Sequence, residues 1–265
     1  MCRLLAIVSP HETTVAAELG SDRLNVFASL SRVHQDGWGW VHLTAPGETP
    51  LLHTSVRAAS EDPDFRAALS TDIARAAIVH LRWATSGLAV EARNTHPFLA
   101  DGVAFAHNGS LKPIDELRRL VDEESRSGLN GTTDSEMYFA IIRQHLRDGG
   151  DLPAAVLAAV RELRPRFPVS SLNAMLLDAT RLVVVHASAR SLLPPEDIDE
   201  IRRSDLPDEH LEDYFALRWT RRADGTLLIG STGVGESDWL PMPSESVATI
   251  ELGDGSVSVT AIVQD

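Results

Sequence analysis

The sequence has a single cysteine, Cys2, among 265 residues. One thiol excludes an internal disulfide and any zinc site built from several cysteines, which fits a reduced compartment. Basic residues are also few, since 24 Lys and Arg stand against 38 Asp and Glu and give a formal net charge of -14. Such a surface repels phosphate backbones and anionic lipid, so we expect neither nucleic acid nor a membrane as a partner.

Long apolar runs are missing as well. The first one, residues 2–8, ends at Ser9 and Pro10 and is shorter than the apolar core of a signal peptide. No later run approaches the length of a membrane span. We therefore expect a cytoplasmic protein.

Signatures of cofactors and of separate domains are not found. The sequence has no glycine loop that would cradle a phosphate, and its ten histidines show no metal-binding spacing. We expect no cofactor and no metal, with His80, His96 and His107 orienting neighbours or packing. Because no repeat, low-complexity tract or long linker divides the chain, a single domain over residues 1–265 is expected.

Cys2 is the position around which a functional hypothesis can be built. A methionine followed by a residue as small as cysteine is normally removed, which would leave Cys2 with both a thiol and the α-amine of the chain. An α-amine titrates near pH ~7.7 to 8.0 and a thiol near ~8.5, so each group is close to its switching point at neutral pH. The pair would form a nucleophile with its own base. The alternative is a small apolar side chain at the start of a strand.

The apolar periodicity predicts a mixture of strands and helices, and hence an α+β fold. Predicted strands lie at 4–8, 51–56, 76–79, 103–107, 172–177, 182–186, 217–221, 226–231, 247–252 and 257–263, and another follows Gly37-Trp38-Gly39 and runs to residue 43. Predicted helices lie at 13–19, 22–32, 61–70, 113–121, 132–146 and 152–164. The segment 190–215 carries many acids and predicts a partly helical surface excursion.

Three further positions carry groups suited to a polar ligand. Arg82 at a strand end offers a planar fork of donors that matches a carboxylate, although a solvated arginine is the commoner outcome. Asn108-Gly109 after an apolar strand predicts a hairpin turn, an oxyanion hole made of the Asn108 amide and the Gly109 N–H, or both. Thr133 and Glu136 fit a helix capping box, which leaves the Asp134 carboxylate free to pair with an ammonium group.

Six motifs, taken in order, resemble the class II glutamine amidotransferases, which are N-terminal-nucleophile hydrolases. The motifs are Met1-Cys2-Arg3-Leu4-Leu5, Asp36-Gly37-Trp38-Gly39, His80-Leu81-Arg82-Trp83-Ala84-Thr85, Asn94-Thr95-His96-Pro97, His107-Asn108-Gly109 and Thr133-Asp134-Ser135-Glu136. The resemblance implies a four-layer αββα sandwich in which two mainly antiparallel sheets lie between helical layers.

The resemblance also implies roles for individual residues. It makes Cys2 the nucleophile on a γ-carboxamide, its α-amine the proton carrier, and Asn108 with Gly109 the oxyanion hole. It assigns the substrate-binding residues as well, with Arg82 on the α-carboxylate of a glutamine-like substrate and Asp134 on its α-ammonium. Trp83 and Thr85 would line the pocket.

The resemblance leaves the reaction partner open. The chain is similar to short stand-alone members that hydrolyse glutamine for a separate ammonia-using synthase subunit, or that cleave a γ-glutamyl amide of another amine. The γ-glutamyl hydrolase of ergothioneine biosynthesis is a relative of the second kind. A different class of function is a non-catalytic protein that binds a γ-glutamyl metabolite as a sensor or regulatory subunit.

Overall fold

The computed structural model describes residues 2–84, 89–204, 211, 213–234 and 238–263. In chain order, the strands in these ranges are β1 (Arg3–Thr13), β2 (Trp38–Leu43), β3 (Leu51–Ser55), β4 (Ala74–Leu81), β5 (Phe98–Ala100), β6 (Val103–Asn108), β7 (Asn173–Leu177), β8 (Arg181–His186), β9 (Leu217–Arg221), β10 (Leu227–Ser231), β11 (Leu240–Pro241), β12 (Ser246–Glu251) and β13 (Val257–Ala261). The helices are α1 (Val15–Leu19), α2 (Ser21–Ser29), α3 (Pro63–Thr71), α4 (Ile114–Leu120), α5 (Glu123–Ser127), α6 (Asp134–Arg147), α7 (Leu152–Leu163) and α8 (Pro195–Arg203), with short 3-10 turns at Leu30–Arg32 and Ala92–Asn94.

The described strands form two antiparallel sheets. The seven-stranded sheet has the order β11-β9-β10-β1-β4-β2-β3, and the six-stranded sheet has the order β13-β12-β8-β7-β6-β5. In the first sheet β1 is central, with Leu5 opposite Gly230 of β10 and opposite Val79 of β4. The start of β1 is therefore held on both sides by backbone hydrogen bonds.

Strand alternation sorts the apolar side chains into layers. Along β1, Leu4 and Ala6 point into the space between the two sheets, while Leu5 and Ile7 point to the other face. Successive side chains of a strand lie on opposite faces, so a strand that is apolar on both faces must be covered on both. The continuous run Leu4–Val8 is such a strand, buried at every position.

Helices cover the outer faces of both sheets. On the seven-stranded sheet, residues of α1, α2 and α3 such as Leu19, Phe27 and Phe65 pack beside Leu5 and Ile7. On the six-stranded sheet, α6 and α7 pack against the outward residues of β6, β7 and β8, which include Phe105. The expected four-layer αββα sandwich is confirmed.

The structure corrects one expectation and adds three elements. Asn108-Gly109 is not a hairpin turn, because β6 pairs with β5 and β7 and the chain after Gly109 continues to α4. The periodicity also missed α5, β5 and β11, which are five, three and two residues long. Such short elements carry too few residues to show a period. Among the described residues, no helix is both long and apolar enough to cross a membrane.

Candidate active site

Cys2 lies directly before the central strand β1 and is 8% exposed. Its backbone nitrogen donates a hydrogen bond to Oδ1 of Asn108 at 2.9 Å, and its Sγ lies 3.9 Å from the carbonyl oxygen of Trp83. Residues that are 106 and 81 positions apart in the chain thus meet at the thiol. The thiol belongs to a polar cluster where the two sheets meet, and is not an isolated apolar group.

Asn108 ends β6 of the opposite sheet and is fully buried. Its Oδ1 accepts from Cys2, which fixes the orientation of the side-chain amide. Its Nδ2 is buried and has no hydrogen-bond partner within the described residues. A buried donor left unpaired costs about 1–3 kcal/mol, so an oxygen of a bound ligand would be a favourable partner for it.

Gly109 follows in a place where no other residue fits. A Cβ atom there would lie 2.1 Å from the carbonyl oxygen of Ser171 and 2.6 Å from Nε2 of His107. The same neighbours hold the segment, because Ser171 Oγ donates to the Asn108 carbonyl at 2.7 Å and the His107 ring bonds to the Ser171 carbonyl at 3.0 Å. Ser171 was not singled out by the sequence, since a lone serine before a strand carries no motif.

The Asp36-Gly37 pair holds the segment that carries Arg82. The Gly37 carbonyl accepts from the backbone N–H of Arg82 at 2.8 Å, and the Asp36 carboxylate accepts from the backbone N–H of Ala84 at 2.8 Å. The Arg82 guanidinium is 3% exposed and donates to the carbonyls of Asp36 at 3.3 Å and Ala89 at 3.1 Å. Arg82 is therefore a fixed interior cation and not a solvated surface residue.

Trp83 is buried, and its carbonyl oxygen is the one that lies near Cys2 Sγ. It packs in a buried cluster with Val33, Ile201 and Tyr214. Ile201 lies on α8, so this helix of the acidic segment is not wholly exposed to solvent but shares a buried cluster with Trp83. Thr85, the other expected pocket residue, lies outside the described residues.

Asp134 begins α6 and is 7% exposed. As predicted, the side chain of Thr133 caps the helix by accepting from the Glu136 N–H, so Asp134 is not needed for the cap. Its carboxylate accepts from the backbone N–H groups of Leu111 at 2.6 Å and Ser135 at 2.9 Å. The contact to Leu111 links Asp134 to the loop that begins with Gly109.

The thiol is electrostatically unlike an ordinary buried cysteine. Burial by itself would raise the pKa of Cys2, but interaction with the His96 ring and the positive charge of the chain terminus outweigh it, and the pKa is lowered. Burial lowers the pKa of His96 to about 3. Burial, together with the charge of Arg82, also holds the pKa of His80 well below its usual range. Both rings are thus neutral at neutral pH.

Two groups of side chains in the described residues have the composition of a metal site. Cys2, His80 and His96 bring ligand atoms within 4.8 Å of one another, as do His11, Glu18 and Asp224 at the surface. The first group lies beside the Arg82 cation, which disfavours a further positive charge. In the second, Glu18 is already bonded to Thr13 and Arg222. The spacing of these residues in the sequence did not reveal either group.

Comparison with known proteins agrees with this geometry. The profile of the glutamine amidotransferases of class II matches residues 1–258. A glutamine–fructose-6-phosphate aminotransferase of Xanthomonas campestris pv. campestris is 35% identical over 96 residues, which are 36% of this chain and 15% of that enzyme. The chain thus matches less than a fifth of the length of that relative.

Solved structures resemble the whole fold. A glutamine aminotransferase class-II domain protein from Silicibacter pomeroyi superposes with a TM-score of 0.65 at 17% identity, covering 99% of this chain and 100% of that one. The glutamine phosphoribosylpyrophosphate amidotransferase of Bacillus subtilis gives a TM-score of 0.64 at 18% identity, covering 100% of this chain and 50% of that one. These likenesses confirm the fold over the whole length of the chain. Since the family profile matches nearly the whole chain, we conclude that this protein belongs to the class II glutamine amidotransferases.

Proposed function

We propose that this protein is an amidohydrolase that cleaves the γ-carboxamide of glutamine, or a γ-glutamyl amide, through Cys2. The thiol sulfur attacks the amide carbon, and the carbonyl π electrons move to the oxygen. Ammonia or an amine leaves, and a γ-glutamyl thioester remains on Cys2 until water hydrolyses it.

The observation that carries this proposal is the unpaired amide nitrogen of Asn108. Its Oδ1 is held by Cys2, so Nδ2 is fixed next to the nucleophile with no partner in the described protein. With the N–H of Gly109 it would stabilise the negative oxygen of the tetrahedral intermediate. A donor of this kind contributes roughly 10²- to 10³-fold to turnover in hydrolases.

The base in this proposal is the nitrogen of Cys2 itself. Once Met1 is removed, that nitrogen is the α-amine, and the hydrogen bond to Asn108 Oδ1 supports its orientation. The amine would accept the thiol proton during attack and give it to the leaving group. Retained Met1 would turn this nitrogen into an amide, which is not a base.

The substrate end would be recognised by two fixed charges. A zwitterionic amino acid needs one cation and one anion, and Arg82 and Asp134 are both largely buried and held by backbone contacts. We assign the α-carboxylate to Arg82 and the α-ammonium to Asp134, with Trp83 and Thr85 lining the pocket.

The fate of the ammonia is a separate proposal. The enzymes that the chain matches are named for a sugar phosphate acceptor, but the match covers only 15% of the length of the Xanthomonas enzyme. Delivery to a separate synthase subunit and release of a free amine therefore both fit the site. Assaying glutamine against γ-glutamyl amides of larger amines, with and without candidate synthases, separates the two.

The test is intact mass of the purified protein before and after treatment with diazo-oxo-norleucine, a glutamine analogue that alkylates the nucleophile. We expect loss of Met1 and one adduct, together with glutamine hydrolysis. Cys2→Ala should abolish both turnover and adduct while glutamine binding, measured by calorimetry, persists through Arg82 and Asp134. A parent protein that retains Met1, forms no adduct and hydrolyses no glutamine, yet binds glutamine as Cys2→Ala does, would instead indicate a non-catalytic binding protein.

A further inference from the structure

Asn94 carries a buried amide that the chemistry proposed above does not use. It is the last residue of the 3-10 turn Ala92–Asn94, it belongs to the Asn94-Thr95-His96-Pro97 motif, and it is 1% exposed. Both polar atoms of its side chain have hydrogen-bond partners, and these partners lie in two different loops. The side chain therefore bears on how the two loops lie relative to each other.

One partner belongs to the loop that follows Arg82. Asn94 Nδ2 donates to the carbonyl oxygen of Ala89 at 3.3 Å, and the same oxygen accepts from Arg82 Nη2 at 3.1 Å. A carbonyl oxygen has two lone pairs, so it can hold both donors at once. Asn94 thus helps to fix the carbonyl group that orients the guanidinium.

The other partner belongs to the loop that precedes Asp134. Asn94 Oδ1 accepts from the backbone N–H of Thr132 at 3.1 Å, two residues before α6 begins at Asp134. The two contacts fix which end of the amide is oxygen, because a backbone N–H can only donate and a carbonyl oxygen can only accept. A single side chain therefore joins a contact of Arg82 to the start of the helix that carries Asp134.

The loop that precedes α6 packs closely on Asn94 because residue 131 is glycine. A Cβ atom at Gly131 would lie 2.4 Å from Asn94 Oδ1 and 2.9 Å from the Arg93 carbonyl oxygen. The Glu136 carboxylate holds the loop from the helix side, accepting from the N–H groups of Asn130 at 2.7 Å and Gly131 at 2.8 Å. The loop is therefore held between α6 and Asn94.

We propose that Asn94 is a positioning residue that sets the distance between the Arg82 guanidinium and the Asp134 carboxylate, and thereby selects ligands with both an α-carboxylate and an α-ammonium group. A zwitterion of fixed length gains both ion pairs only if the two protein charges are correctly spaced. A ligand without these charges does not depend on the spacing. The proposal rests on the proposed function, in which these two residues bind the substrate end.

The test compares two alkylating reagents on the same thiol. Diazo-oxo-norleucine carries the α-carboxylate and the α-ammonium group of glutamine, whereas iodoacetamide carries neither. Because Cys2 is the only cysteine, the rate of both reactions can be followed on one sulfur by intact mass. A change in the reactivity of the thiol alters both rates, so the ratio of the two rate constants measures recognition of the zwitterionic end.

In Asn94→Ala we expect alkylation by diazo-oxo-norleucine to slow about tenfold, because one charge is misplaced when both hydrogen bonds between the loops are lost. Alkylation by iodoacetamide should stay near the rate of the parent. The matched control is Thr95→Val, since Thr95 is also buried but its Oγ1 donates to the Glu91 carbonyl at 3.0 Å, within the same turn. This variant should leave the ratio unchanged.

A second pair of variants acts on the same contact from the opposite loop. Gly131→Ala pushes against Asn94 Oδ1 and should lower the ratio in the same direction. Gly128→Ala is its control, because a Cβ atom at Gly128 meets only the Ser125 carbonyl oxygen, at 3.6 Å, which is an ordinary contact. This pair tests the proposal even if Asn94→Ala does not fold.

An unchanged ratio in a folded Asn94→Ala protein would overturn the proposal, as would equal ratios in Gly131→Ala and Gly128→Ala. A fall of both rates by the same factor would also overturn it, since that result indicates a general loss of structure and no selective role.

Failure of the proposed function gives a different result. If glutamine does not slow alkylation of the parent protein by diazo-oxo-norleucine, the site does not recognise glutamine, and the assignment of Arg82 and Asp134 fails together with this proposal. A parent protein that glutamine protects but that hydrolyses no amide would contradict the proposed catalysis alone.

Discussion

The two sheets contribute different chemistry to the candidate active site. The seven-stranded sheet supplies Cys2 and His80, whose pKa values are moved by burial and by neighbouring charge. The six-stranded sheet supplies Asn108 and Gly109, whose N–H donors do not titrate. The reactivity of the thiol depends on both sheets, because His96, just before β5 of the six-stranded sheet, also lowers the pKa of Cys2, whereas the donor geometry at Asn108-Gly109 does not depend on pH.

The difference is sharpest between two asparagines on neighbouring strands. Asn108 of β6 lies opposite Asn173 of β7 in the sheet register, and both are fully buried. Asn173 is satisfied at both ends, with Nδ2 donating to the Phe215 carbonyl at 2.6 Å and Oδ1 accepting from Ala187 at 2.8 Å. Asn108 uses only its oxygen. The same residue type is thus structural at one position and has a free donor at the other.

The largest effect is expected from exchanging each of these amides for a carboxylate. Asn108→Asp keeps the acceptor for Cys2 and removes the donor, so turnover should fall about 10²- to 10³-fold. Asn173→Asp removes a used donor and should lower the free energy of unfolding by about 1–3 kcal/mol. Glutamine hydrolysis and urea unfolding of both variants measure this. If Asn108→Asp loses stability but not turnover, the contrast between the two positions is wrong.

A smaller effect is expected where the two sheets meet at His96. Gly39→Ala places a methyl group against the His96 carbonyl, and such overpacking lowers the free energy of unfolding by about 1–3 kcal/mol. Displacement of the His96 segment should lower turnover by roughly tenfold to a hundredfold. The control is Gly253→Ala, because a Cβ atom at Gly253 meets nothing within 4 Å. Equal turnover in the two variants would show that the position of the His96 segment does not affect catalysis.

The smallest effect concerns α8 of the acidic segment 190–215, where Ile201 shares a buried cluster with Trp83. Ile201→Ala removes packing from Trp83, and we expect the KM for glutamine to rise roughly fivefold, about 1 kcal/mol, with kcat little changed. Leu192→Ala is the control, since Leu192 is 81% exposed on the same segment. Steady-state kinetics of the two variants measure this effect. An equal KM in both would show that packing at Ile201 does not contribute to substrate binding.

Much of the fold could be predicted from the sequence because its signals are local. The run Leu4–Val8 shows a strand buried on both faces, and Thr133 shows the start of α6. The motif around Asn108-Gly109 was harder, because an Asn-Gly pair is compatible with both a hairpin and a donor site. Only strand pairing, which is a long-range property, excluded the hairpin interpretation.

The sequence by itself determined that Cys2 is the one thiol, that the chain is acidic, and which short motifs it carries. Only the tertiary structure decided which atoms those motifs place together. It left Asn108 Nδ2 unpaired while pairing Asn173, and it brought His80 and His96 to the thiol. The physical reason is that a pKa shift or an unsatisfied donor depends on burial and on partners that lie far away in the chain, and no local pattern encodes either.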